Sequence, residues 1–144
     1  MKVILWIGLF VVAALATPVR AAQVVGAQSG ECIDIAHGLV QDGTPLHQFH
    51  CHGSPNQQWT LSGGQLMGLG GSCLDVMGSA PTEGAQVIIV ACNGRPSQKW
   101  SITNGQIIGI GGKCLDVSGG STQDGAPLLI ATCASTPSQQ WSLQ

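Results

Sequence analysis

Charge is scarce in this chain. Only 8% of its 144 residues are charged, and Lys and Arg together number five. Lys2 and Arg20 lie in an N-terminal stretch that reads as a leader. Arg95, Lys99 and Lys113 are then left against seven carboxylates, a net charge of −4. A nucleic-acid partner needs a basic face for its phosphates, and three scattered cations do not make one. Helical signals are also thin. No segment carries a sustained 3.6-residue apolar stripe with caps, which excludes helical bundles and helical solenoids. Disorder is excluded from the other side, because 44% of the residues are apolar and net charge is low. No C-x-x-C is present for a zinc–cysteine site. Neither a serine nucleophile elbow nor a metal-binding His pair on a helix is present to support hydrolysis.

What is there begins with the leader. Lys2 precedes an apolar run of 14 residues, Val3 to Ala16, and small residues follow at Ala21 and Ala22. That layout predicts a secretory signal peptide over residues 1–22, cleaved after Ala21 or Ala22, with the folded domain over 23–144. The run is shorter than the roughly 20 apolar residues of a membrane span, so no span is expected. Cys32 is the first cysteine and lies beyond the cleavage region, which argues against a lipid-anchored start. The expected destination is extracellular, or periplasmic in a bacterium, where six cysteines would pair.

Self-similarity decides the architecture. Cys32, Cys73 and Cys114 stand 41 residues apart, and so do Cys51, Cys92 and Cys133. Trp59, Trp100 and Trp141 obey the same step, as do Asp34, Asp75 and Asp116. Gly63–Thr103 and Asn104–Gln144 are identical at 19 of 41 aligned positions. Three repeats, at about 23–62, 63–103 and 104–144, fill the expected mature chain. Within each, short apolar runs such as Val87-Ile88-Ile89-Val90 and Leu128-Leu129-Ile130 have strand length, and Gly63-Gly64 and Asn104-Gly105 are tight hairpin signals. A propeller needs about four or more blades. Three all-β repeats of about four strands instead suit a closed threefold barrel, whose closure leaves no long exposed edge. Threefold repetition also favours, among 15 possible pairings, Cys32–Cys51, Cys73–Cys92 and Cys114–Cys133, each closing a loop of 19 residues. Such a loop is expected to stabilise by roughly 3 kcal/mol in the chain-entropy picture.

Beyond the leader, the aromatic residues besides His are Trp59, Trp100, Trp141 and Phe49. The three Trp close the triplets Gln57-Gln58-Trp59, Gln98-Lys99-Trp100 and Gln139-Gln140-Trp141. The rings are expected to fill a shared core. The preceding Gln amides are open to a structural or a ligand role. Three Q-x-W motifs, each preceded by C-x-D (Cys32-Ile33-Asp34, Cys73-Leu74-Asp75, Cys114-Leu115-Asp116) and a second Cys, resemble the ricin B-type lectin family from Val24 to Gln144.

The resemblance implies a β-trefoil that binds sugars without catalysis, with one shallow pocket per repeat. Transferred by position, it implies Asp34, His47, Phe49, Asn56 and Gln57 as the first pocket, His47 standing where Gln is common. The second repeat keeps only Asp75 and Gln98, with Ile88, Val90 and Ser97 elsewhere. The third keeps Asp116 and Gln139, with Leu129, Ala131 and Ser138. Only the first pocket is complete, and the other two are degraded.

The chemistry matches those residue types. The C–H face of a pyranose packs on an aromatic face, and Asp34 would accept from two neighbouring hydroxyls. Asn56 would both donate and accept. Alternation along Pro45–Cys51 puts His47, Phe49 and Cys51 on one face and turns Leu46 and Gln48 to the barrel. Gln48 then requires a compensating hydrogen bond or partial solvent access. Other roles compete for these residues. Phe49 can be core, although its counterparts Val90 and Ala131 show that no ring is required there. The three Asp can orient loops through backbone N–H groups, the favoured reading for Asp75 and Asp116. His50 and His52 would share a face if the strand continues, with His47 opposite and no acidic partner adjacent. No metal or other cofactor is therefore expected, and His52 is read as pocket rim.

A glycosidase would need two carboxylates roughly 5–9.5 Å apart, whereas the repeated Asp should be spread around the threefold axis. No enzyme is expected. The reading is a secreted carbohydrate-binding protein with a glycan partner, of galactose or xylose type. The alternative is a protein-interaction or inhibitor trefoil whose sugar pockets are vestigial.

Overall fold

The computed structural model describes residues 2–13 and 20–144. Met1 and residues 14–19, which belong to the expected leader, lie outside the described residues. Residues 2–13 carry no regular secondary structure, and their apolar side chains are exposed.

Twelve short strands are described. In chain order they are β1 (Val24–Gly26), β2 (Cys32–Ile35), β3 (Leu46–Phe49), β4 (Thr60–Ser62), β5 (Gln65–Met67) and β6 (Cys73–Val76). They continue as β7 (Val87–Val90), β8 (Ser101–Thr103), β9 (Gln106–Ile108), β10 (Cys114–Val117), β11 (Leu128–Ala131) and β12 (Trp141–Leu143). Each sequence repeat contributes four strands, but the hydrogen-bonded sheets are offset from the repeats by one strand. Their orders are β12-β1-β2-β3, β4-β5-β6-β7 and β11-β10-β9-β8. The offset arises because Gly63-Gly64 and Asn104-Gly105 turn the chain back between repeats, pairing β4 with β5 and β8 with β9. Asn104 and Gly105 both take positive φ (50° and 78°), as a tight hairpin turn requires. At the third such place there is no turn. The ends of the domain meet there, β1 pairing with β12.

The threefold arrangement is locked by a cycle of backbone bonds. The loop after β2 exchanges bonds with β7 (Gly43 N–H to Ile89 O, Ile89 N–H to Thr44 O). The loop after β6 does so with β11 through Gly84, Ala85 and Ile130, and the loop after β10 does so with β3 through Gly125, Ala126 and Gln48. Each repeat thereby holds the next, and the third holds the first.

Inside, the apolar members of the strands converge with the three Trp, all buried. Burying each large side chain contributes about 1.5–3 kcal/mol. Each indole also satisfies its N–H, donating to Ile33 O, Leu74 O and Leu115 O at 3.0–3.1 Å. The rings leave no space for a neighbouring side chain. A Cβ at Gly68 would sit 2.7 Å from Trp59, and one at Gly109 2.6 Å from Trp100. Three disulfides, Cys32–Cys51, Cys73–Cys92 and Cys114–Cys133, staple each repeat.

The alternation expected along β3 is present, with Leu46 and Gln48 buried and His47 and Phe49 half-buried. Gln48 stands where the other repeats carry Ile89 and Ile130, and is 1% exposed. Its Nε2 donates to Ser121 O and Gln123 O at 2.9 Å, which compensates the donor half of the amide, while Oε1 is buried without a partner. The strand stops at Phe49, and the His50 and His52 rings come together without it, edge-on at a centroid distance of 5.7 Å.

Candidate functional site

The pairing of β2 with β3 sets Asp34 directly opposite His47 and Cys32 opposite Phe49. Two short 3₁₀ turns complete the site. One, over Ala36–Gly38, follows β2. The other, over Pro55–Gln57, begins with Pro55, whose fixed φ suits the first helical position, and presents Asn56 and Gln57. Asp34, His37, His47, Phe49, His52 and Asn56 line the resulting pocket of about 250 Å³.

Asp34 is the hub of this pocket. It is only 3% exposed, yet three side chains reach it. His47 Nε2 donates to Oδ1 at 2.8 Å, Asn56 Nδ2 to Oδ1 at 3.1 Å, and Gln57 Nε2 to Oδ2 at 2.8 Å. His52 Nε2 lies 3.5 Å from Oδ2, beyond a good hydrogen bond. A carboxylate offers about four acceptor positions. Three are filled by the protein, so Asp34 has room for one incoming hydroxyl rather than the two expected from sequence.

The acidic partners of the histidines also correct the expectation that none was adjacent. His47 and His52 converge on Asp34, and His50 Nδ1 lies 3.0 Å from Asp124 Oδ2. Among the described residues, no three His, Cys, Asp or Glu side chains are placed to hold a metal ion.

Phe49 presents a half-exposed ring framed by imidazoles. His47 stacks at a centroid distance of 5.5 Å, His50 tilts against it at 4.5 Å, and His52 meets its edge at 6.2 Å. The ring is thereby held beside the Asp34 carboxylate without being part of the core.

Gln57 departs from its expected role as a sugar contact. It is fully buried and does not line the pocket. Its amide bridges Asp34 Oδ2 and His50 O, while its Oε1 accepts the His52 N–H. Gln98 and Gln139 repeat this pattern on Asp75 and Asp116. The Q-x-W glutamine is therefore a positioning residue in all three repeats. Asp75 and Asp116 differ from Asp34 in their second oxygen, which accepts the N–H of the next residue, Val76 or Val117, at 2.7 Å. No imidazole or Asn amide reaches either of them, because Ile88, Ser97, Leu129 and Ser138 occupy those positions.

His37 was not expected in the pocket. The signal that reveals it is the 41-residue step, which aligns His37 with Gly78 and Gly119. Those glycines have φ of 82° and 64°, and His37 adopts the same left-handed backbone at 57°.

Beside the pocket, at the junction of the third and first repeats, the Glu31 carboxyl is pushed up to about 7. Burial is the main cause, and the neighbouring Asp124 carboxyl adds to it. Asp124 itself is held below the usual carboxylate range, chiefly by its hydrogen bond to His50.

With this geometry in view, residues 20–143 match the model of the ricin-type β-trefoil lectin domain. The chain belongs to that family. Three solved structures are similar to this chain. ThreeFoil, a designed threefold-symmetric protein, is 30% identical with a TM-score of 0.79, the match covering 85% of this chain and 96% of that one. An exo-β-1,3-galactanase from Clostridium thermocellum is 29% identical with a TM-score of 0.78, over 86% of this chain but 30% of the galactanase. The ricin B-like lectin of Macrolepiota procera, solved with lactose, shares the fold at 21% identity and a TM-score of 0.75, over 91% and 99% of the two chains. Membership of this lectin family supports a carbohydrate-binding role. Among the described residues, no helix is long and apolar enough to cross a membrane.

Proposed function

We propose that this chain is a secreted, non-catalytic carbohydrate-binding protein with one competent sugar pocket, in its first repeat, for galactose- or xylose-type pyranoses. The observation that carries this reading is the half-exposed Phe49 ring beside the Asp34 carboxylate in one pocket with Asn56, His47 and His52. The pyranose C–H face rests on the ring. One hydroxyl takes the open acceptor position of Asp34, and the Asn56 carbonyl and the His52 ring answer its neighbours. Epimers are distinguished because a missing or inverted hydroxyl leaves these groups desolvated and unpaired. The named ligands of relatives agree with the class. One neighbour is an exo-β-1,3-galactanase and another was solved with lactose.

A single shallow site of this kind predicts a dissociation constant on the order of millimolar, about −4 kcal/mol. The test is a glycan array on residues 23–144, followed by calorimetric titration of the wild type and Phe49→Ala. Binding that survives Phe49→Ala unchanged refutes the assignment. The secreted location is tested by N-terminal sequencing of the exported chain, which should begin at Ala22 or Gln23.

A second reading has its own support. Two of three pockets lack the ring and amide, and Asp34 already has three protein donors, as a vestigial site would. A protein-binding or inhibitor trefoil would capture partners in a pull-down that free galactose or xylose does not compete.

A further inference from the structure

Next to the sugar pocket lies a second hollow of about 330 Å³, formed by the loop after β2 and lined by Leu39, Gln41, Asp42 and Pro45 among others. His37 lines both hollows. We infer that the two form one continuous cleft divided by the His37 imidazole, and that the ligand is a neutral oligosaccharide of at least two pyranose units rather than a single sugar. This rests on the reading of the first pocket as a sugar site.

Three observations carry it. The first is backbone strain. A left-handed φ on a non-glycine residue is costly, and glycine occupies the same position in the other repeats. What the first repeat gains for that cost is an imidazole standing between the two hollows.

The second is the pairing of the acidic residue in each inter-repeat loop. Asp42, Glu83 and Asp124 are equivalent, and each accepts one backbone N–H from the following repeat, from Ala91, Thr132 and His50 respectively. Glu83 also takes the Lys113 ammonium at 2.7 Å, and Asp124 takes the His50 ring. Among the described residues, no side chain hydrogen-bonds to Asp42, and its Oδ2 is left for a ligand hydroxyl.

The third is rigidity. Thr44 Oγ1 bonds Gln41 O at 2.7 Å, and the loop is tied to β7 through Gly43 and Thr44. The hollow is therefore formed before any ligand arrives, which lowers the ordering cost of binding.

The chemistry selects the ligand class. Gln41 supplies an amide donor and acceptor, Asp42 an anionic acceptor and Leu39 a 46% exposed apolar surface. Neither Lys nor Arg lines either hollow, while Asp34 and Asp42 do. A uronic acid would meet like charge at both ends, so the chain it takes is uncharged.

The experiment is an ¹⁵N-NMR titration of residues 23–144 with D-galactose and D-xylose, and with β-1,3-galactotetraose and β-1,4-xylotetraose. A tetramer should bind at least ten-fold more tightly than its monomer. It should shift the amides of Leu39, Gln41 and Asp42 in addition to those around Asp34 and Phe49, which the monomer alone moves. In the double variant Gln41→Ala/Asp42→Asn, where Asn keeps the acceptor for the Ala91 N–H, the monomer should bind as before and the tetramer should fall to the monomer's affinity. Equal affinity of monomer and tetramer for the wild type, or a chain-length gain untouched by the double variant, overturns the second subsite and leaves the first pocket standing. Absence of any binding to the wild type overturns both.

Discussion

The first repeat and the other two share one scaffold and differ in what a single carboxylate does with it. In every repeat the aspartate of C-x-D is held by the Q-x-W glutamine, which ties it to the segment after the following strand. Asp75 and Asp116 turn their second oxygen back onto their own strand, to the N–H of Val76 and Val117. Asp34 turns it outward to His47 and Asn56. The comparison teaches that the Asp–Gln pair belongs to the fold, and that what sets the proposed sugar site apart is the neighbours that draw the free oxygen away from the backbone.

Breaking the first repeat should have the largest effect on function. Phe49→Ala removes the stacking surface without opening the core, since Val90 and Ala131 hold that position elsewhere. We expect sugar affinity to fall at least ten-fold with thermal stability within about 1 kcal/mol of wild type. Asp34→Ala should lose binding as well, but at a structural cost. It leaves one N–H of the buried Gln57 amide unpaired and should destabilise by about 1–3 kcal/mol, as Asp75→Ala should through Gln98. Denaturant melts of both variants beside sugar titrations separate the shared role from the one peculiar to Asp34.

Building the second repeat up to the first is the converse test. Ile88→His, Val90→Phe and Ser97→Asn together place three of the missing side chains around Asp75. The expected outcome is a second binding event, with calorimetric stoichiometry rising from one sugar per chain to two. A stoichiometry that stays at one would show that more of the first repeat than these three side chains is needed. His37 is the obvious further difference, a side chain carried on a left-handed backbone that all three repeats share. His37→Gly substitutes the residue the other repeats use. Relief of left-handed strain, about 1–2 kcal/mol, is offset by the roughly 0.5–1 kcal/mol entropy cost of glycine. The variant should therefore gain about 0.5–1 kcal/mol in a melt while binding oligosaccharide more weakly.

Much of this was legible in the sequence because repetition makes an internal alignment. The 41-residue step located the strands, the disulfides and the buried Trp, and the missing ring in two repeats marked the first as different. Three features stayed hidden, each for a physical reason. Gln57 looks the same whether its amide faces a ligand or a carboxylate, and only its burial decides. The three protein donors on Asp34 come from separate segments, His47 from β3 and Asn56 and Gln57 from the turn that follows, which strand alternation alone could not bring together. His37 required reading the step for backbone conformation, with glycine as the mark of positive φ, and not for side-chain chemistry.

The smallest expected effect concerns the three junctions between repeats, which the same step makes equivalent. The acidic residue of each inter-repeat loop is matched with Ser72, Lys113 or Glu31 at the start of the next repeat. At Lys113 the match is an ion pair with Glu83. At Glu31 it is a second carboxyl, beside Asp124, and its pKa is raised from 4.5 to about 7. Because the folded value lies above the unfolded one, the folded chain holds this proton more tightly. The associated stability is fully present below pH 4.5 and is lost as pH rises through about 7. Asp124 shifts the opposite way, so its contribution is lost only as pH falls below the ordinary carboxylate range, outside that window. The melting temperature should therefore decline between pH 5 and pH 8 in the wild type. Glu31→Gln, which keeps a hydrogen-bond donor toward Asp124 without the charge, should flatten the profile. Glu31→Lys, which copies the Lys113 junction, should flatten it too and should raise the melting temperature most at pH 8. A wild-type profile that is level from pH 5 to 8 would mean that the two carboxyls are hydrated independently and that the three junctions are energetically alike.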